Sequence, residues 1–194
     1  DRKGREYWTG KRVLELGSGT GLAGLALARL GAKVTMTDVR EMVPLLRENI
    51  GLQREQLLGP LPEAEELHWG ERGTYDGVVT DEYDVVVGTA VTYSEALIPA
   101  LMHVLSTFIF EARSGGKKGL PVVVLAAEND SKVHAMFTEQ AVNHFDVRKD
   151  DQVSGTKCSD RVPHAFFSDL HLRVNSKDIA IYELTPVPWS RSIS

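Results

Sequence analysis

The sequence predicts an α/β domain: a mostly parallel sheet with helices on both faces and an antiparallel pair at its C-terminal end. Three observations carry that expectation. Apolar strand patterns alternate with helical ones through most of the 194 residues. A bend of alternate glycines, Gly17-Ser18-Gly19-Thr20-Gly21, joins the first strand directly to a helix. The last two strand patterns have no helical pattern between them, only the polar stretch 154–177. At 42% hydrophobic and 25% charged residues the chain is ordinary globular protein, and its length fits one domain, residues 1–194.

The elements follow in order. Arg12 to Leu16 reads as a buried strand, and Leu22 to Leu30 as a helix of Leu and Ala stopped by Gly31. Lys33 to Asp38 alternates Val34 and Met36 against Thr35 and Thr37, as a strand does. Glu41 to Ile50 is helical, with Pro44 tolerated in the first turn. Glu63 to Trp69 is a third strand and Tyr83 to Gly88 a fourth. Leu97, Leu101, Val104, Leu105 and Phe108 share one helical face, and Arg113 to Gly119 reads as a loop. Leu120 to Ala127 is a fifth strand, and Val133, Met136, Phe137, Gln140 and Ala141 mark another helix. Phe145 to Lys149 and Asp178 to Leu184 are the final strands.

Composition narrows the partners. The net charge is -5 and no long basic run is present, so nucleic acid is not expected. Cys158 is the sole cysteine, which excludes an intrachain disulfide and fits a reducing compartment. The expected location is the cytoplasm, with the nucleus as the alternative. No run reaches the roughly 18 apolar residues of a membrane span, and no signal peptide is visible. The chain begins at Asp1, only a dozen residues before the first core strand, so further residues are expected upstream. A monomer is the default expectation.

The glycine bend and Asp38 carry the chemistry. In an open parallel sheet, ligands bind beyond the carboxyl ends of the strands, where the strand order reverses. Glycines let backbone pass close beneath a nucleoside cofactor, and an acid at the tip of the next strand accepts from both ribose hydroxyls. The same edge carries Trp69, a flat apolar wall for an adenine, and the turn Gly88-Thr89-Ala90. Glycines that serve only a tight turn are one alternative. A dinucleotide site is another, because Gly19-Thr20-Gly21-Leu22-Ala23-Gly24 also satisfies G-x-G-x-x-G. Glu15 two residues before the first glycine, His68-Trp69-Gly70 after the third strand, and the order of the last strands argue for S-adenosylmethionine (SAM) instead.

Across nearly the whole chain these residues resemble the seven-β-strand methyltransferases, and within them methyltransferase family 16, largely protein lysine methyltransferases. The resemblance rests on Gly10-Lys11-Arg12-Val13-Leu14-Glu15-Leu16-Gly17-Ser18-Gly19-Thr20-Gly21, on Thr37-Asp38, on Leu67-His68-Trp69-Gly70 and on Asp178 to Leu184. It implies the Rossmann-like seven-stranded SAM-dependent methyltransferase fold, with SAM as cofactor. It also implies a protein substrate of the chaperone, ATPase or translation-factor kind. The positions implied to contact SAM are Glu15, Gly17, Ser18, Gly19, Asp38, Trp69 and Thr89. Two departures stand out. Where the family reads Gly-Ala-Asp-x-x-Tyr, this chain reads Gly88-Thr89-Ala90-Val91-Thr92-Tyr93, keeping the tyrosine and losing the carboxylate. The family's upstream tryptophan-bearing segment has no counterpart; Trp8 lies close to the first strand.

Methyl transfer from a sulfonium needs an amine lone pair held in line with the methyl group and shielded from water. A lysine, with an ordinary pKa near 10.4, must first lose its proton. Tyr93 is the expected catalytic residue, orienting the nitrogen; Glu95 and Glu128 are further carboxylates on the same edge. Each has a plainer reading: packing for Tyr93, a first-turn charge for Glu95, a solvated strand end for Glu128. A SAM-binding scaffold without catalysis, and a methyltransferase for a small molecule or another side chain, are the alternative functions. His164, His171, Cys158 and Asp160 match no zinc spacing, so no metal is expected.

Overall fold

The computed structural model describes residues 2–57, 59–80, 82–115, 119–128, 132–150 and 179–187. The strands are β1 (Arg12–Leu16), β2 (Lys33–Asp38), β3 (Glu63–Glu66), β4 (Val85–Thr89), β5 (Val122–Glu128), β6 (Phe145–Asp150) and β7 (Ile179–Pro186). The helices are α1 (Arg2–Trp8), α2 (Leu22–Arg29), α3 (Val43–Gln53), α4 (Ile98–Ser114) and α5 (Lys132–Ala141). The strands form one sheet in the order β3-β2-β1-β4-β5-β7-β6. Strands β1 to β5 pair in parallel, whereas β7 lies between β5 and β6 and runs antiparallel to both. The sheet is therefore the Rossmann-like, mostly parallel seven-stranded one. The order reverses between β1 and β4, which puts the crevice for a ligand at their carboxyl ends.

Strand alternation divides the core into two layers. Val13, Val85, Val87, Val124 and Ile181 face a layer that contains Leu27 and Ala28 of α2 and Val43, Leu46 and Ile50 of α3. Leu14, Leu16, Val86, Val123 and Leu125 face the other, with Leu101, Val104, Leu105 and Phe108 of α4 and Phe137 and Ala141 of α5. With its preceding turn, α4 has the length and mean hydropathy of a membrane span. Eight of its side chains are nevertheless buried, as expected of a core helix beneath a sheet.

Several elements differ from the sequence reading. The third strand stops at Glu66 rather than Trp69. Leu67 N–H still donates to Asp38 O at 2.9 Å, but His68 N–H turns to Thr74 Oγ1 and the Tyr75 hydroxyl takes Trp69 O. These bonds peel His68 to Gly70 off the sheet. The helix expected over Glu41 to Ile50 runs instead from Val43 to Gln53, with Pro44 in its first turn, where no N–H partner is needed. Leu97 sits in a 3₁₀ turn, Glu95–Leu97, ahead of α4, and Ile98 takes its place in the core. Arg113, expected in a loop, is in α4 and its guanidinium donates to Val187 O. In α5 the buried polar residue is His134, hydrogen-bonded to Tyr182, rather than Gln140. The stretch 154–177, with Cys158, Asp160, His164 and His171, and Trp189 lie outside the described residues.

Sequence reading also missed α1. Trp8 at its end is fully buried in the layer with Val13, Leu27 and Val34, so the segment before β1 is part of the domain. Trp8→Ala should lower stability by about 3–5 kcal/mol, the usual cost of emptying a buried aromatic site. Urea unfolding checks this; a change below about 1 kcal/mol would show that α1 does not pack as described.

Candidate active site

Three loops meet at the carboxyl ends of β1, β2 and β4. Backbone bonds fix the first: Ser18 N–H donates to Thr37 O at 2.9 Å, and Gly21 N–H to Ser18 O at 2.7 Å. Gly17 has φ 60, and a Cβ there would lie 3.2 Å from both Trp69 Cζ2 and Val91 Cγ1. The position thus needs left-handed backbone and also lets the indole approach closely. Asp38 locks the bend. Its Oδ2 accepts from Gly19 N–H at 2.7 Å and its Oδ1 from Val39 N–H at 2.8 Å. The Asn49 amide of α3 holds the bend from the far side through Thr20 O at 2.8 Å.

A pocket of about 430 Å³ lies over this bend, within the range of small-ligand sites. Gly17, Gly19, Asp38, Trp69 and Tyr93 line it, together with Val39, Met42, Leu67, His68, Ala90 and Leu97. The structure thus gathers five residues singled out in the sequence. Three others stand apart. Thr89, half-buried, ends β4 opposite Ala126, and Ala90 lines the pocket instead. Ser18 is buried beneath the bend and Glu15 lies on β1 behind it. Reading the sequence also missed Val39 and Met42, although the stretch just past Asp38 had to lie at the same edge. A larger hollow, about 720 Å³, runs along α4 beside Arg72, His103 and Arg113 and includes none of the residues singled out.

Glu15 is 0% exposed, and neither carboxylate oxygen has a hydrogen-bond partner among the described residues; nor does the Ser18 hydroxyl. Burial pushes its pKa up from 4.5 to about 7. The nearby Ser18 hydroxyl and Gly24 amide pull it back down, short of hydrogen-bond geometry, and the Asp38 charge adds a small rise. Gly24 makes room for it: a Cβ there would lie 2.5 Å from Glu15 Oε2 and 2.7 Å from Met36 Cγ. Orphaned buried oxygens beneath a glycine cradle fit a ligand that carries its own hydrogen-bond donors. SAM has an ammonium group at its amino-acid end and two ribose hydroxyls for Asp38, so the residues present suit it.

The residues that follow β4 are arranged differently from the glycine bend. Ala90 N–H donates to Ala126 O at 2.8 Å, and Ala90 itself is exposed at φ 56, a left-handed conformation that an alanine seldom adopts. Tyr93 is 71% exposed. Glu95 Oε1 pairs with Lys132 Nζ at 2.9 Å. Glu128 closes β5 at the same end of the sheet. Among the described residues no group of three His, Cys, Asp or Glu side chains converges to hold a metal.

A sheet with one reversed strand, a glycine bend at the switch in strand order and an acid at the tip of β2 define the SAM-dependent methyltransferase fold. Solved structures agree. The magnesium protoporphyrin IX methyltransferase of Synechocystis with bound SAM superposes at a TM-score of 0.57, with 17% identity over 94% of this chain and 73% of that one. An rRNA methylase from Streptococcus thermophilus gives 0.57, with 8% identity over 95% and 92%. At such identities the likeness speaks for the fold alone.

Sequence comparison is narrower. The family model described as lysine methyltransferase matches residues 1–141, and the chain belongs to that family. The zebrafish (Danio rerio) protein N-lysine methyltransferase METTL21A is 34% identical over 73% of this chain and 63% of its own length. The Saccharomyces cerevisiae protein-lysine N-methyltransferase EFM6 is 32% identical over 71% and 57%. The EEF1A lysine methyltransferase 3 of Xenopus tropicalis is 26% identical over 91% and 64%. The chain thus spans about three fifths of the length of these curated relatives.

The raised pKa of Glu15 has a stability consequence. Between about 4.5 and 7 the folded chain holds a proton that the unfolded chain has lost, so this group's contribution falls as pH rises through that window. Glu15→Gln should melt with the wild type near pH 4.5 and be more stable by up to about 3 kcal/mol at pH 8. Melting curves across that range check this; a constant difference would mean that Glu15 is ionised throughout.

Proposed function

We propose that this chain is the catalytic domain of a SAM-dependent methyltransferase acting on a lysine side chain of a protein. One observation supports it most directly: a single pocket is lined both by Asp38, at the tip of β2, and by the exposed Tyr93, which follows β4 on the other side of β1. Asp38 would hold the two ribose hydroxyls, Trp69 the adenine, and the Gly17 to Gly19 bend, with Glu15 beneath it, the amino-acid end. SAM supplies an electrophilic methyl group on a sulfonium. The chain's own residues would do the rest. The apolar walls of Leu67, Trp69 and Val91 would exclude water, and the Tyr93 hydroxyl would orient the incoming nitrogen. Desolvation at the pocket mouth lowers the pKa of a lysine and favours the neutral amine that attacks.

The relatives' names favour a protein substrate, and one of them names EEF1A, a translation factor. A substrate of the chaperone, ATPase or translation-factor kind, a monomeric state and a cytoplasmic location belong to the same proposal. The left-handed Ala90, bare of a carboxylate, favours the scaffold reading as the alternative, because an ammonium at that place meets no anion.

Calorimetry should show SAM and S-adenosylhomocysteine binding to the wild type, with affinity at least about tenfold weaker in Asp38→Ala, since two charge-assisted bonds are lost. Labelled SAM added with a cell lysate should mark discrete proteins with the wild type and mark them at least about tenfold less with the variant. Binding without labelling would establish the scaffold, and equal binding by both proteins would remove Asp38 from its role.

A further inference from the structure

Trp69 lines the pocket from a segment that belongs to no strand or helix: β3 stops at Glu66, and the next 3₁₀ turn, Arg72–Thr74, has not begun. Sheet bonds therefore do not set where its indole stands. Yet the indole stands close to the glycine bend, with Cζ2 3.2 Å from where a Cβ of Gly17 would be. An unheld loop would leave so large a side chain many states, and a ligand using it as a wall would have to order them.

Tyr75 supplies the constraint. Its hydroxyl reaches back six residues and donates to Trp69 O. The tyrosine can act as a fixed post because its own backbone is tied on both sides. Its N–H donates to Arg72 O at 3.0 Å, and its carbonyl accepts from Val78 N–H at 3.0 Å and Val79 N–H at 2.8 Å. Its ring is buried in the core layer that contains Leu67 and Met102, where a tyrosine hydroxyl needs a partner. The ring centroid also lies 6.1 Å from that of His103 on α4, and His103 Nε2 accepts from Arg72 Nε at 3.4 Å. The 3₁₀ turn, the segment after it and α4 thus converge on this one residue.

We propose that Tyr75 is a positioning residue of the cofactor site: through the Trp69 carbonyl it holds the indole against the glycine bend as a preformed wall for the adenine. This rests on the SAM-dependent reading above. Tyr75 lines the larger hollow along α4 and not the pocket itself, so it acts on the ligand only through Trp69. Its effect belongs to nucleoside binding. A bond that merely closed the turn would stabilise the fold and leave SAM affinity alone.

Two readouts test this. The first is hydroxyl-radical footprinting of the full chain without SAM, read residue by residue by peptide mass spectrometry. Tyr75→Phe should raise oxidation of Trp69 and leave that of the buried Trp8 unchanged. The second is calorimetry with SAM on a double-mutant cycle. Tyr75→Phe should weaken binding about three- to tenfold, as the loss of one hydrogen bond does. The same change made together with Trp69→Ala should weaken it by less than about twofold, because no indole is left to place. Unchanged oxidation of Trp69, a rise at Trp8 as well, unchanged affinity in Tyr75→Phe, or an equal loss in both backgrounds each overturns the proposal. A wild type that binds no SAM is a different result: it removes the cofactor reading, whatever the footprint shows, and the role of Tyr75 in that site falls with it.

Discussion

The bond from Gly19 N–H to Asp38 Oδ2 ties two strand ends into one surface. Parallel pairing of β1 and β2 brings Leu16 opposite Thr37, so the bend and the acid leave the sheet side by side. With the bonds of Ser18, Gly21 and Asn49, that bond offsets the large loss of freedom that glycine-rich backbone suffers on ordering. With it, the bend is shaped before any ligand arrives, and the Trp69 indole can rest against Gly17. Preorganisation of this kind spares a ligand the cost of ordering the loop.

Glu15 shows the opposite principle at the same place. It sits one layer below, out of water, with its oxygens unsatisfied among the described residues. A group whose pKa lies near 7 is divided between two charge states around neutrality. Any cation brought over the bend favours the ionised form, so its arrival is linked to release of a proton. Stability is thus given up at the spot where a positively charged ligand end would restore it.

Much of the sheet edge that carries the pocket was legible in the sequence, because it is built from local signals. Glycines at alternate positions, an acid at the end of the next strand and an aromatic past the third all follow from sheet geometry. The turn after β4 was less legible. There the left-handed turn at Ala90 depends on a backbone angle, and its bond to Ala126 O joins residues far apart in the chain. The third strand was read three residues too long because Leu67 and Trp69 continue an apolar pattern, while side-chain bonds from Thr74 and Tyr75 decide where it stops. The first helix was missed for a simpler reason: only Tyr7 and Trp8 in it are large and apolar, too few to show a period.

The placement of β7 bears on how the chain is assembled. Among the described residues β6 bonds to no strand except β7, and β5 has β7 on its open side. During synthesis the first five strands can pair as they emerge, but the sheet keeps a raw border until residues 179–187 are made. Long-range pairing of this sort is slow. From the completion of β5 to the emergence of β7 the nascent polypeptide therefore carries a sticky, unfinished rim that has to be kept from pairing with other chains.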